Sequence, residues 1–72
     1  MNFDSLWDFV TANGIATEEE CRLVCYINGS SVSTLNDIIE VRTGYHDAEQ
    51  LHDFEPENYD FSMLEIDEEE EE

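Results

Sequence analysis

The stretch from Thr17 to Tyr45, TEEECRLVCYINGSSVSTLNDIIEVRTGY, constrains the fold more than any other part of the chain. Thr17 followed by Glu20 has the form of a capping box: the hydroxyl accepts from the amide three residues on, and the carboxylate reaches back to the cap amide. A helix is predicted to start there. Glu18, Glu19 and Glu20 place negative charge at the positive end of its dipole. Glu18 also stands one turn before Arg22, the better orientation for a helical ion pair. Asn28 and Gly29 supply the left-handed tolerance that a helix C-terminus commonly needs. A second helix begins at Ser31 or Ser33, either of which can cap it. Leu35, Ile38, Ile39 and Arg42 share one face, Gly44 closes the helix, and Tyr45 is placed to pack back on the final turn.

The flanks repeat this pattern. Phe3, Leu6, Trp7 and Val10 recur at helical spacing and predict a first helix from about Phe3 to Asn13, stopped by Asn13 and Gly14. Ile15 follows where a hydrophobic contact often accompanies such a stop. Phe3 and Trp7 are expected in the core. On the central helix Cys21, Val24 and Cys25, with Leu23 and Ile27 beside them, are expected to form the buried side. A short last helix is predicted from Asp47, as cap, through Ala48 and Leu51 to Phe54, where Pro56 prevents extension. The expected fold class is all-α: a compact three- or four-helix domain over residues 2 to 54, followed by an acidic, largely flexible C-terminal tail over residues 55 to 72.

Charge narrows the function classes. With 20 acids against Arg22 and Arg42, the formal net charge is -18. Phosphate binding requires Lys and Arg, so direct nucleic-acid binding and anionic membrane surfaces are disfavoured, and a basic protein is the favoured partner. At 72 residues the chain is near the size at which a hydrophobic core alone is marginal, so a deep catalytic pocket is not expected. No apolar run approaches the roughly 18 residues needed to cross a bilayer. The start, MNFDSLWDFV, lacks the basic region of a signal peptide, and a cytoplasmic protein is expected. Cys21 and Cys25, one turn apart on a helix, are badly oriented for a disulfide.

Residues 55 to 72 hold ten acids and no base, with apolar residues interleaved before a closing glutamate run. The expectation is that Tyr59, Phe61, Met63, Leu64 and Ile66 dock on the body or on a partner, while Asp67, Glu68, Glu69 and Glu70 supply attraction. Clustered carboxylates on a small rigid body can also imitate the phosphates of a nucleic acid. The competing reading is that the glutamates only keep the protein in solution. Cys21 and Cys25 with His46 and His52 contain the donors of a tetrahedral zinc site, but the C-x3-C pair lies on a helix rather than a knuckle, and no metal or cofactor is expected. Cys21 lies among glutamates that oppose a thiolate, and paired carboxylates arise by chance among so many acids, so no catalytic residue is assigned. The helix-turn-helix arrangement offers Asn36 and Arg42 against Asp37 and Glu40, a poor set for reading DNA. Arg42 is expected to pair with an acid on another helix.

The segments ATEEE at 16 to 20, ING at 27 to 29, TLNDII at 34 to 39 and RTGYHDAEQ at 42 to 50 resemble small, uncharacterised helical proteins of prophages and conjugative elements of Gram-positive gut bacteria. The resemblance covers about half the chain and implies a mobile-element context rather than a mechanism. The function expected from all of this is a monomeric, non-enzymatic interaction module docking on a basic protein, with a nucleic-acid mimic as its sharpest form. The alternative is a helical scaffold or assembly subunit that self-associates through Trp7, Tyr26 and Tyr45.

Overall fold

The computed structural model of the chain describes residues 2–64. Within them it is all-α, as expected, with four helices: α1 (Phe3–Ala12), α2 (Glu18–Asn28), α3 (Val32–Thr43) and α4 (Ala48–Phe54). Each begins on a side chain that accepts from an amide in its first turn, which meets the donors a helix start leaves open. Asn2 accepts from the Ser5 amide at 2.8 Å, and Asp47 from that of Gln50 at 2.8 Å. Thr17 and Glu20 form the reciprocal capping box, both bonds at 3.1 Å. Of the two candidate caps for α3, Ser31 takes the role, accepting from the Thr34 amide at 3.2 Å. Thr34 is buried, and its hydroxyl donates to the Gly29 carbonyl at 2.7 Å, which satisfies it and fixes the turn between α2 and α3.

The stop after α1 sets where the chain goes next. Gly14 adopts φ +70° and donates to the Thr11 carbonyl at 3.2 Å, while Ile15 donates to Val10 at 3.0 Å. This is a Schellman motif. It turns the chain so that Ile15 and Ala16 enter the core before α2 starts.

α1 and α2 each pack on α3. The core is filled by Leu6, Phe9 and Val10 of α1, Cys21 and Cys25 of α2, Leu35, Ile38 and Ile39 of α3, and Ala48 and Leu51 of α4. Phe3 and Trp7 reach it only in part. The buried side of α2 is narrower than expected. Leu23 is 60% exposed and Ile27 69%, because Cys21, Val24 and Cys25 already complete the seam toward α3. Tyr45 reaches toward α4: its ring stacks on Phe54 with centroids 5.6 Å apart, and its hydroxyl donates to Glu55 at 2.9 Å.

The domain boundary expected at residue 54 falls inside the folded body. Asn13 and Asp60 exchange two hydrogen bonds across 47 positions: the Asn13 amide nitrogen donates to the Asp60 carbonyl at 3.0 Å, and the Asp60 N–H donates to Asn13 Oδ1 at 2.7 Å. Beyond that clamp Phe61 stacks on Phe9 at 5.0 Å and Leu64 is only 6% exposed. Residues 55–64 thus form a strap that closes the core, because burying Phe61, Met63 and Leu64 offsets an ordering cost that the acids alone could not. The remainder of the expected tail, residues 65–72, lies outside the described residues.

Arg42 pairs with an acid on another helix, as its position implied. Its guanidinium donates to Glu20 Oε2 at 2.6 Å and ties α3 to the first turn of α2. The Thr17 amide, and after it Arg42, hold the Glu20 carboxyl below the ordinary carboxylate range. A carboxyl depressed in the folded state contributes stability above its unfolded pKa, and that contribution is lost as pH falls through the folded value. Arg42→Met, which keeps the apolar stem, is therefore expected to lower the melting temperature at neutral pH, with the gap to wild type closing at an acid pH low enough to protonate Glu20 in the folded chain. A gap of equal size at both pH values would mean that the arginine acts by packing alone.

Candidate functional site

α2 carries two apolar seams. Cys21, Val24 and Cys25 are turned into the body, and Leu23, Tyr26 and Ile27 repeat the same spacing on the side facing away. Tyr26 is 88% exposed. Between this outer seam and the start of α1 lies an open groove of about 810 Å³. Phe3 and Trp7 line it from α1, with ring centroids 5.7 Å apart and planes tilted by 46°. Leu23, Cys25 and Tyr26 line it from α2, and Ser30 closes one end. The groove exists because α1 and α2 both lean on α3, while Phe3 and Trp7 lie to one side of the buried Leu6, Phe9 and Val10 face of α1.

The rim is acidic. Glu19 and Glu20 border the groove on the α2 side, and Asp4 and Asp8 share a neighbouring hollow with Phe3 and Trp7. Among the described residues Arg22 is the one cation lining the groove, and it stands 3.8 Å from Glu18 with both side chains largely in water. Such an exposed pair is weak. On the other flank of α2 a smaller hollow of about 340 Å³ is lined by Val24, Ile38 and Val41 and bordered by the Glu20–Arg42 pair.

The residues singled out from the sequence are distributed differently. Tyr59, Phe61, Met63 and Leu64, expected to dock on the body or on a partner, are placed on the body, in the strap: Tyr59 and Phe61 bracket Phe9, with Tyr59 at 6.4 Å, Met63 packs on the core and Leu64 enters it. The placement has a simple cause, since Phe9 presents a flat apolar face on which the rings of Tyr59 and Phe61 pack. Ile66, Asp67, Glu68, Glu69 and Glu70 lie outside the described residues. Of the proposed aromatic face, Trp7 and Tyr26 share the groove, whereas Tyr45 is engaged by Phe54 and Glu55.

The zinc constellation does not assemble. Among the described residues no three His, Cys, Asp or Glu side chains form a group that could hold a metal. His46 Nδ1 faces Glu40 at 3.3 Å, and His52 meets the Phe61 ring edge-on at 4.9 Å. Burial pushes the Cys21 thiol up, and Cys25, Glu20 and Glu18 add to the effect, so the thiolate a nucleophile requires is disfavoured there. α3, the helix that a DNA reader would insert, exposes Asp37 and Glu40, and its Arg42 is committed to Glu20. Among the described residues no helix is long and apolar enough to cross a membrane. No protein-family model, no curated protein and no solved structure matches the chain.

Proposed function

We propose that this chain is a small non-enzymatic interaction module that works as a monomer in the cytoplasm and docks on a basic protein, in the setting of a mobile genetic element. The observation that carries the reading is the pairing of an exposed apolar groove at Trp7, Leu23 and Tyr26 with an acidic rim, on a chain of net charge -18. Charge of that size steers a basic partner from a distance, and the groove supplies the short-range contact that charge alone lacks. In its sharpest form the module competes with nucleic acid for the basic surface it occupies, while binding neither nucleic acid nor a membrane itself. The alternative, self-association through the aromatic face, draws on the shared position of Trp7 and Tyr26 but must bring two strongly negative copies together.

The test is affinity capture from bacterial lysate at low and high salt on three baits: the full chain, residues 1–64, and Leu23→Ser combined with Tyr26→Ser. Expected is a basic protein held by the full chain at low salt, released by salt, held more weakly by residues 1–64 and lost with the double variant. Equal retention by all three baits at both salts would defeat the reading. Light scattering of the full chain checks the alternative, and a dimer dissolved by the same two substitutions would favour it.

A further inference from the structure

The geometry points to one class of occupant for the α1–α2 groove: a basic amphipathic helix supplied by the partner protein. This rests on the reading that the chain docks on a basic protein, and it adds how that protein is held.

The shape argument comes from the packing. α1 and α2 both rest on α3, and the space left beside α2 is bounded by one helix on each side, with Phe3 and Trp7 on one wall and Leu23 and Tyr26 on the other. An apolar hollow between two helix walls can take the apolar stripe of a third helix, which reads such a surface through anchors one turn apart. An extended segment would have no backbone to pair with here, because the described residues are helical or turn and offer no strand edge. The wall formed by α2 runs from Glu19 to Tyr26, about 10 Å at the rise of a helix, which corresponds to roughly two turns of a bound helix.

The charge argument selects the sign. An amphipathic helix laid in the groove carries its polar flanks over the two rims. Asp4 and Asp8 stand in the hollow beside the Phe3–Trp7 wall, and Glu19 stands on the other side, while Glu20 is already paired with Arg42 and Arg22 has Glu18 beside it in a weak, exposed pair. Lysine or arginine on both flanks of the incoming stripe meets carboxylates on both sides, while an acidic helix, including α2 of a second copy with its own Glu18, Glu19 and Glu20, meets like charge. The apolar contact is the larger part of the affinity at high salt, and the rims fix orientation and partner choice.

The test uses three synthetic peptides of equal length: a leucine–lysine amphipathic helix, the same composition scrambled so that no apolar stripe forms, and a leucine–glutamate amphipathic helix. Binding to the isotope-labelled full chain is followed by amide shift changes, and affinity by titration. Expected is saturable binding of the leucine–lysine helix with the largest shifts around Trp7, Leu23 and Tyr26. The scrambled peptide should bind at least tenfold more weakly and the glutamate helix not measurably. Leu23→Ser with Tyr26→Ser, both at exposed positions, should weaken the first peptide at least tenfold with an unchanged melting curve.

Equal binding of the scrambled peptide, or shifts confined to surfaces outside the groove, would overturn the helix-in-groove inference while leaving a basic partner standing. Absence of binding by either basic peptide, or binding of the glutamate helix as tightly as the lysine one, would overturn both. Groove shifts that depend on protein concentration without peptide would assign the surface to a second copy and overturn the inference.

Discussion

Phe9→Ala is expected to cost about 3 to 5 kcal/mol, the range for emptying a large aromatic site in a core. Phe9 is fully buried at the centre of the body and carries Phe61 on its ring at 5.0 Å and Tyr59 at 6.4 Å. Alanine there removes the side chain and also the platform on which the strap rests. A domain of this size has a total stability of only about 5 kcal/mol or a little more, so the variant should be largely unfolded at 37 °C. Urea denaturation at low temperature gives the measurement. A second substitution locates the cause: because the two rings are in contact, Phe9→Ala and Phe61→Ala should be non-additive by about 0.5 to 1.5 kcal/mol. A cost for Phe9→Ala below about 1 kcal/mol would place Phe9 outside the core. Tyr26→Ala serves as the control, since a side chain 88% exposed should leave the midpoint within experimental scatter.

The helices were legible because each begins and ends on a local chemical device. Thr17 with Glu20, Ser31 and Asp47 act within three residues of themselves, and the stops at Gly14 and Gly44 need only a residue that tolerates positive φ. What escaped were two choices decided at long range, the outward arc of α2 and the strap. On α2 the apolar residues cover most of the circumference, so periodicity alone could not say which arc meets α3. A finer signal was present: Cys21, Val24 and Cys25 form one complete i, i+3, i+4 set, and Leu23, Tyr26 and Ile27 form a second. A helix with two complete sets in a domain that can bury only one has a surface left over, and the groove follows from that surplus. The strap was harder. The Asn13–Asp60 clamp joins a side chain to a backbone 47 positions away, and acids on either side of Tyr59 and Phe61 gave the segment the composition of a flexible tail. The relevant physics was the uncovered face of Phe9, which becomes visible only once the helices are packed.

Cutting the chain after Phe54 and cutting it after Leu64 should therefore have opposite consequences, although both remove acidic sequence. Residues 1–54 lose Leu64 from the core, Phe61 from the face of Phe9, the Asp60 half of the clamp, and the Glu55 carboxylate that receives the Tyr45 hydroxyl. The strap brings its own ordering cost, so the net loss is smaller than the area it covers would suggest, and about 2 to 3 kcal/mol is expected. For a chain this short that corresponds to a fall in melting temperature of roughly 10 to 20 °C. Residues 1–64 keep all of those contacts and shed only carboxylates and Ile66, with no cation among the residues lost. Relief of like-charge repulsion should leave the second fragment melting at or above the full chain at low salt, with the difference vanishing as salt is raised. Circular dichroism melts of the three proteins at two salt concentrations decide the matter. If residues 1–54 melt where the full chain does, the body ends at α4 and Tyr59, Phe61, Met63 and Leu64 are free to meet a partner. If they melt far lower while residues 1–64 do not, the apolar half of this acidic segment belongs to the fold, and the carboxylates beyond it are what the segment itself leaves to attract a basic protein.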